Sequence, residues 1–121
     1  FKSRRCILII NLSYLEEITG GDKAMILEML DLFIRDIPAQ VEKIQEFYET
    51  SDLVSLSKEA HKLKPTLQYI GLTGMFEDIK EIEQLIKNNM NGDKLPDLVK
   101  NLNDASVACL PALKAKKEEL S

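Results

Sequence analysis

The sequence predicts an all-α protein: an antiparallel up-down four-helix bundle preceded by one short helix. Three observations carry that expectation. Apolar residues recur at steps of three and four through long segments, the pattern of one helix face. Aromatic residues make up only 6% and Trp is absent, so a core must be built from Leu, Ile, Val and Met, as in helical bundles. Strict alternation is confined to Cys6–Leu12, and the connections are turns of a few residues, which set sequence neighbours antiparallel. A chain of 121 residues is enough for one domain with one core. Residues 1–10 read as an N-terminal extension and 11–121 as the bundle.

The elements follow from local signals. Ser13 with Glu16 makes a capping box that opens the short helix. Gly20-Gly21 stops it, and Asp22 caps the next helix. Ile26, Leu30, Phe33, Ile37, Val41, Ile44 and Tyr48 then form one stripe, on which Pro38 should kink or split the helix. Met25, Met29 and Leu32 are apolar residues off that stripe, either core in a helix packed on two sides or part of a partner surface. Ser51-Asp52 opens the following segment, which runs to Gly71. Another carries Leu72, Met75, Phe76, Ile79, Ile82 and Ile86 and ends at Asn91-Gly92. The last carries Leu95, Leu98, Leu102, Ala105, Cys109, Ala112 and Leu120; Pro96 suits its first turn and Pro111 should bend it.

Composition excludes several function classes. The net charge is −4 and the Lys114–Lys117 cluster is small and followed by two glutamates, so phosphate-backbone binding of nucleic acid is not expected. That cluster reads as the solvated last turn of a helix, where cations suit the dipole. Two cysteines, Cys6 and Cys109, lie at opposite ends of the chain, and Cys109 falls in an apolar run where a buried thiol is expected. With a single histidine there is no zinc-ligand spacing. The run Cys6–Ile10 is far too short for a membrane span or a signal sequence, which points to a cytoplasmic protein. A chain that opens on Phe1 rather than Met reads as a piece of a longer one.

That histidine, His61, is placed mid-helix in Ala60-His61-Lys62-Leu63-Lys64-Pro65-Thr66-Leu67. Around its helix the apolar stripe is Leu53, Leu56, Ala60, Leu63, Leu67 and Ile70. At about 100° per residue, His61 falls roughly 130° from the centre of that stripe and faces solvent. Ser57, Lys64, Pro65 and Gln68 share its face. A lone surface histidine is commonly incidental. What it can do alone is attack a phosphoryl group delivered by another protein, because a neutral ring nitrogen in the open is a nucleophile. The phosphorylated ring then carries extra negative charge, which a nearby lysine offsets. No nucleophile elbow supports a Ser/His/Asp site, and the glycines Gly20-Gly21, Gly71, Gly74 and Gly92 lack the context of a nucleotide-binding loop.

At these residues the sequence resembles the histidine-containing phosphotransfer (HPt) family, whose signature is Ala-His-x-Leu-Lys-Gly followed later by Gly and an apolar residue. Here it reads Ala60-His61-Lys62-Leu63-Lys64-Pro65, then Gly71-Leu72. Leu12 through Asp22 is similar to the family's opening helix and turn, and Leu32-Phe33-Ile34 through Pro38 to its second helix, so the likeness covers about residues 11–120. The resemblance implies a phosphorelay intermediate of two-component signal transduction. It would be a phosphocarrier without its own ATP site, exchanging phosphoryl groups with aspartates of response-regulator receiver domains, including one supplied by a hybrid histidine kinase. His61 would be the phosphoacceptor, Lys64 the neutralising charge, and Gln68 a hydrogen-bond donor to the phosphoryl group. Ser57, Pro65, Met25 and Met29 are candidate docking residues. The chain would need no cofactor, Mg²⁺ belonging to the receiver. Pro65 replaces the family's glycine on the approach face; it should kink the helix and leave the His61 carbonyl without its donor, and either bends the helix around the bundle or shapes partner choice. A helical adaptor, or a degenerate HPt domain that only binds, is the competing reading.

Overall fold

The structure, a computed structural model, describes residues 10–89 and 94–121. The described residues form five helices and no strand: α1 Ser13–Thr19, α2 Lys23–Glu49, α3 Leu53–Tyr69, α4 Thr73–Lys87 and α5 Lys94–Leu120. The Asp22 carboxylate accepts the Met25 N–H and that of Asp52 accepts the Ser55 N–H, each at 3.2 Å, so the expected Asp22 cap forms and Asp52 caps the segment that Ser51-Asp52 was expected to open. The capping box at Ser13 does not. Ser13 is itself the first helical residue, and its N–H donates to Asn11 Oδ1 at 2.9 Å. An asparagine side-chain turn just upstream thus takes over the start.

The internal prolines break nothing. Pro38, Pro65 and Pro111 lie within α2, α3 and α5, and each helix runs on through its proline. A split at Pro38 is therefore a wrong expectation. Ile37 and Val41 on either side are buried in the core, and their burial outweighs one missing helix hydrogen bond. In α3 the same holds for Leu63 and Leu67 around Pro65, both fully buried. α4 ends at Lys87, with Asn89 in the left-handed region at φ 54°. The expected stop at Asn91-Gly92, like Cys6, lies outside the described residues, and of the N-terminal extension only Ile10 is described.

α2 packs on α3 and α5, and α4 packs on the same two, so the four long helices surround one core; α1 lies against α2 and α3. The α2 and α3 stripes read from the sequence face inward, apart from half-buried Tyr48 and Leu53 at the α2–α3 turn. On α5, Leu113 is fully buried while Ala112 and Leu120 are only partly so, because the inward face drifts by one residue past Cys109. Lys117 stands in the last turn of α5, as expected, and makes a solvent-accessible pair with Asp31 of α2. The rings of Tyr14 on α1, Tyr69 on α3 and Phe33 on α2 stack in sequence, with centroids 5.7 and 6.2 Å apart.

The α3–α4 turn fixes one end of the His61 helix. Gly71 sits there at φ 71°, and a Cβ on it would lie 2.7 Å from Asn11 Cβ. The Asn11 N–H donates to the Ile70 carbonyl at 2.9 Å. Glycine is required twice over, for its backbone angle and for the close approach of the entering chain.

Candidate functional site

His61 projects from the outer face of α3 with its side chain 72% exposed. Its Nδ1 lies 2.9 Å from Glu83 Oε2, a carboxylate contributed by α4. The other oxygen, Glu83 Oε1, accepts from Lys64 Nζ at 2.8 Å. One carboxylate thereby holds the histidine and the lysine that the helix spacing set one turn apart. Glu83 is largely shielded, and Lys64 is half-buried. Burial pushes the Glu83 carboxyl upward, but the hydrogen bonds from Lys64 and His61 and the charges of both outweigh it, and the group sits below the usual carboxylate range. It is ionised at neutral pH.

That assignment fixes the imidazole. An ionised carboxylate only accepts, so Nδ1 carries the proton and donates it. In the neutral ring Nε2 is then the nitrogen without a proton, with its lone pair available to attack. Carboxylate contact also holds the orientation of the ring. The arrangement makes an exposed, oriented nitrogen nucleophile with a cation one turn away.

Of the other residues singled out from the sequence, Gln68 and Pro65 are exposed on the same helix. Pro65 leaves the His61 carbonyl without an N–H four residues on. Ser57 is half-buried and lines an open groove of about 650 Å³ with Val54, Lys58, His61, Lys62, Glu83 and Ile86. Met25 is exposed on α2, whereas Met29 is half-buried and packs against the core; neither lines this groove. Sequence reasoning missed Glu83. Its one signal was its place directly after Ile82 and three residues before Ile86, at the margin of the α4 stripe where a side chain meets the neighbouring helix.

A family model described as the Hpt domain matches residues 28–119, a span that contains His61, Lys64, Gln68 and Glu83. The chain belongs to the Hpt domain family. No curated protein and no solved structure matches it significantly. Hpt domains are phosphocarrier modules that work with receiver domains in two-component systems, and histidine phosphotransfer in a phosphorelay is their role at the level of the family. Among the described residues of this Hpt domain, no helix is long and apolar enough to cross a membrane, and no group of three or more His, Cys, Asp and Glu is placed to hold a metal ion.

Proposed function

We propose that this Hpt domain is a phosphorelay intermediate in which His61 takes a phosphoryl group from a receiver-domain aspartate and passes it to another receiver. The observation that supports this most is the His61–Glu83 contact on an exposed imidazole, because it occupies Nδ1 and leaves Nε2 of the neutral ring as the nucleophilic nitrogen. Nε2 attacks phosphorus in line, the Nε2–P bond forms, and the bond from phosphorus to the aspartyl oxygen breaks, returning a carboxylate to the receiver. The ring keeps its Nδ1 proton and becomes positively charged, and Glu83 lies against that charge. No proton leaves the site, so the step reverses for onward transfer.

Lys64 has three N–H donors, and those not engaged by Glu83 would meet the phosphoryl oxygens. Gln68, a further turn along the exposed face, would donate to the same group. The finer architecture goes with this reading: connections of residues 50–52 and 70–72 leave little room except for reversal, giving an antiparallel up-down arrangement of the long helices with α1 added. The partners would be response-regulator receivers, one of them carried by a hybrid histidine kinase, in the cytoplasm. Mg²⁺ would enter with the receiver.

The test is transfer of label from a receiver phosphorylated on aspartate. Wild type should acquire label that is acid-labile and stable in alkali, and His61→Ala should acquire none. Label that persists in His61→Ala would overturn the assignment. No transfer from a full panel of receivers would favour an Hpt domain that only binds.

A further inference from the structure

The outer side of α5 carries a second periodicity that the core does not use. Lys100, Asp104, Val107, Pro111, Lys114 and Glu118 follow at alternating steps of four and three residues, a seam of 3.5-residue period along one side of the helix. Val107 is 66% exposed, and Lys100, Pro111, Lys114 and Glu118 are exposed as well. Asp104 is half-buried and lies 3.1 Å from Lys100. The core takes a different set of α5 residues, among them Leu102, Ala105, Cys109 and Leu113. Along the seam the order is cation, anion, apolar, apolar, cation, anion. Turned end for end about Cys109, every charge falls opposite its complement: Lys100 meets Glu118, Asp104 meets Lys114 and Val107 meets Pro111. Both charge pairs at four-residue spacing run lysine first, the order that supports an isolated helix least. Their placement therefore serves the helix itself poorly and a reversed copy of it well.

We propose that the outer seam of α5 is a self-association surface, on which a second copy of this chain packs antiparallel about a two-fold axis beside Cys109. A two-fold contact requires a patch complementary to itself, and this seam has that property in its charges and in its apolar centre. Lys100 and Asp104 of one copy lie against Glu118 and Lys114 of the other, so each end of the contact is a cluster of alternating sign. Two chains of net charge −4 repel at a distance, and only a face that sets charge against its complement overcomes this. The seam is about 27 Å long, and its apolar part is small, so the contact belongs to the weak, reversible class, with a dissociation constant on the order of 100 µM. α3 and α5 both pack on α2 and α4 and so lie across the bundle from each other. The dimer therefore leaves His61 of each copy facing outward. The proposal does not rest on the phosphorelay reading.

Sedimentation equilibrium over a rising concentration series reads the association directly. The weight-average mass of the wild type should climb from that of one chain toward that of two as the concentration passes about 100 µM. Lys114→Glu sets like charges against each other at both ends of the contact, and Val107→Glu places a charge beside the axis. Each should weaken association by at least about tenfold, with helix content by circular dichroism unchanged because neither position belongs to the core. The double variant Asp104→Lys with Lys114→Glu exchanges the signs and should return to within about threefold of wild type. A wild type that keeps the mass of one chain up to about 1 mM would overturn the proposal and leave the seam to a partner of another kind. Undiminished association in both Lys114→Glu and Val107→Glu would place the contact elsewhere and overturn it equally. A folded double variant that fails to associate would refute the antiparallel register.

Discussion

Glu83→Ala tests the site where the geometry is most specific. In the wild type Glu83 Oε2 holds His61 Nδ1 at 2.9 Å and Oε1 holds Lys64 at 2.8 Å. A hydrogen bond to a charged group contributes roughly 1.5–3 kcal/mol. The imidazole is 72% exposed, so water takes up much of what the carboxylate provides. About 1 kcal/mol remains for the charge that develops on the ring, equivalent to roughly a fivefold slower attack by Nε2. Single-turnover labelling from a phosphorylated receiver reads this rate directly. Glu83→Gln keeps an acceptor without the charge and should fall between Ala and wild type. The imidazole ¹⁵N spectrum supplies a second readout: the Nδ1–H tautomer should dominate in wild type and lose ground in Glu83→Ala. An unchanged rate and an unchanged tautomer in Glu83→Ala would refute the argument that this carboxylate orients the nucleophile. The pH dependence has a definite sign. Because folding lowers the Glu83 pKa, its contribution to stability is complete above the ordinary value of 4.5 and is lost as the pH falls through the lower folded value. The stability difference between wild type and Glu83→Gln should therefore persist at neutral pH and close in acid.

Other positions make independent tests. Lys64→Ala should leave the bundle folded by circular dichroism, slow transfer by about threefold to tenfold and change phosphohistidine lifetime; a normal rate and lifetime would remove Lys64 from the chemistry. Gly71→Ala should lower the free energy of unfolding in urea by about 2 kcal/mol, from the left-handed backbone and the contact with Asn11 together, and a neutral result would refute the close approach at that turn. Burial pushes the Cys109 thiol up to about 11 from 9.0. The stability this represents is complete below pH 9.0 and lost as the pH rises through about 11, so alkaline titration of unfolding should be steeper for wild type than for Cys109→Ala.

The helices were legible because their evidence is local. Periodic Ile26 through Ile44, the Asp22 and Asp52 caps and the glycines at helix ends each act within a turn or two of their own position. His61 was legible for the same reason, since its angle from the Leu56–Leu63–Leu67 stripe needs only helix geometry. Ser13 misled because two polar residues compete to cap one helix, and the winner depends on where Asn11 is held by Ile70, far away in sequence. Glu83 was hidden more deeply. Within α4 it is one acid among several, alongside Glu77 and Glu81, and only the packing of α4 on α3 distinguishes it. Met29 shows the converse: off the main stripe by periodicity, it is drawn into the core because α2 is flanked by neighbours on more than one side.

The hydrogen bond from Asn11 to Ile70 sets where the polypeptide comes in. Residues 10 and 11 are thereby held beside the α3–α4 corner, the far extremity of α3 from Val54. A helix of 17 residues separates those extremities by about 25 Å. The entering stretch of chain at residues 10 and 11 thus lies at the end of α3 opposite Val54, a full helix length from the first residue of the groove that His61 lines.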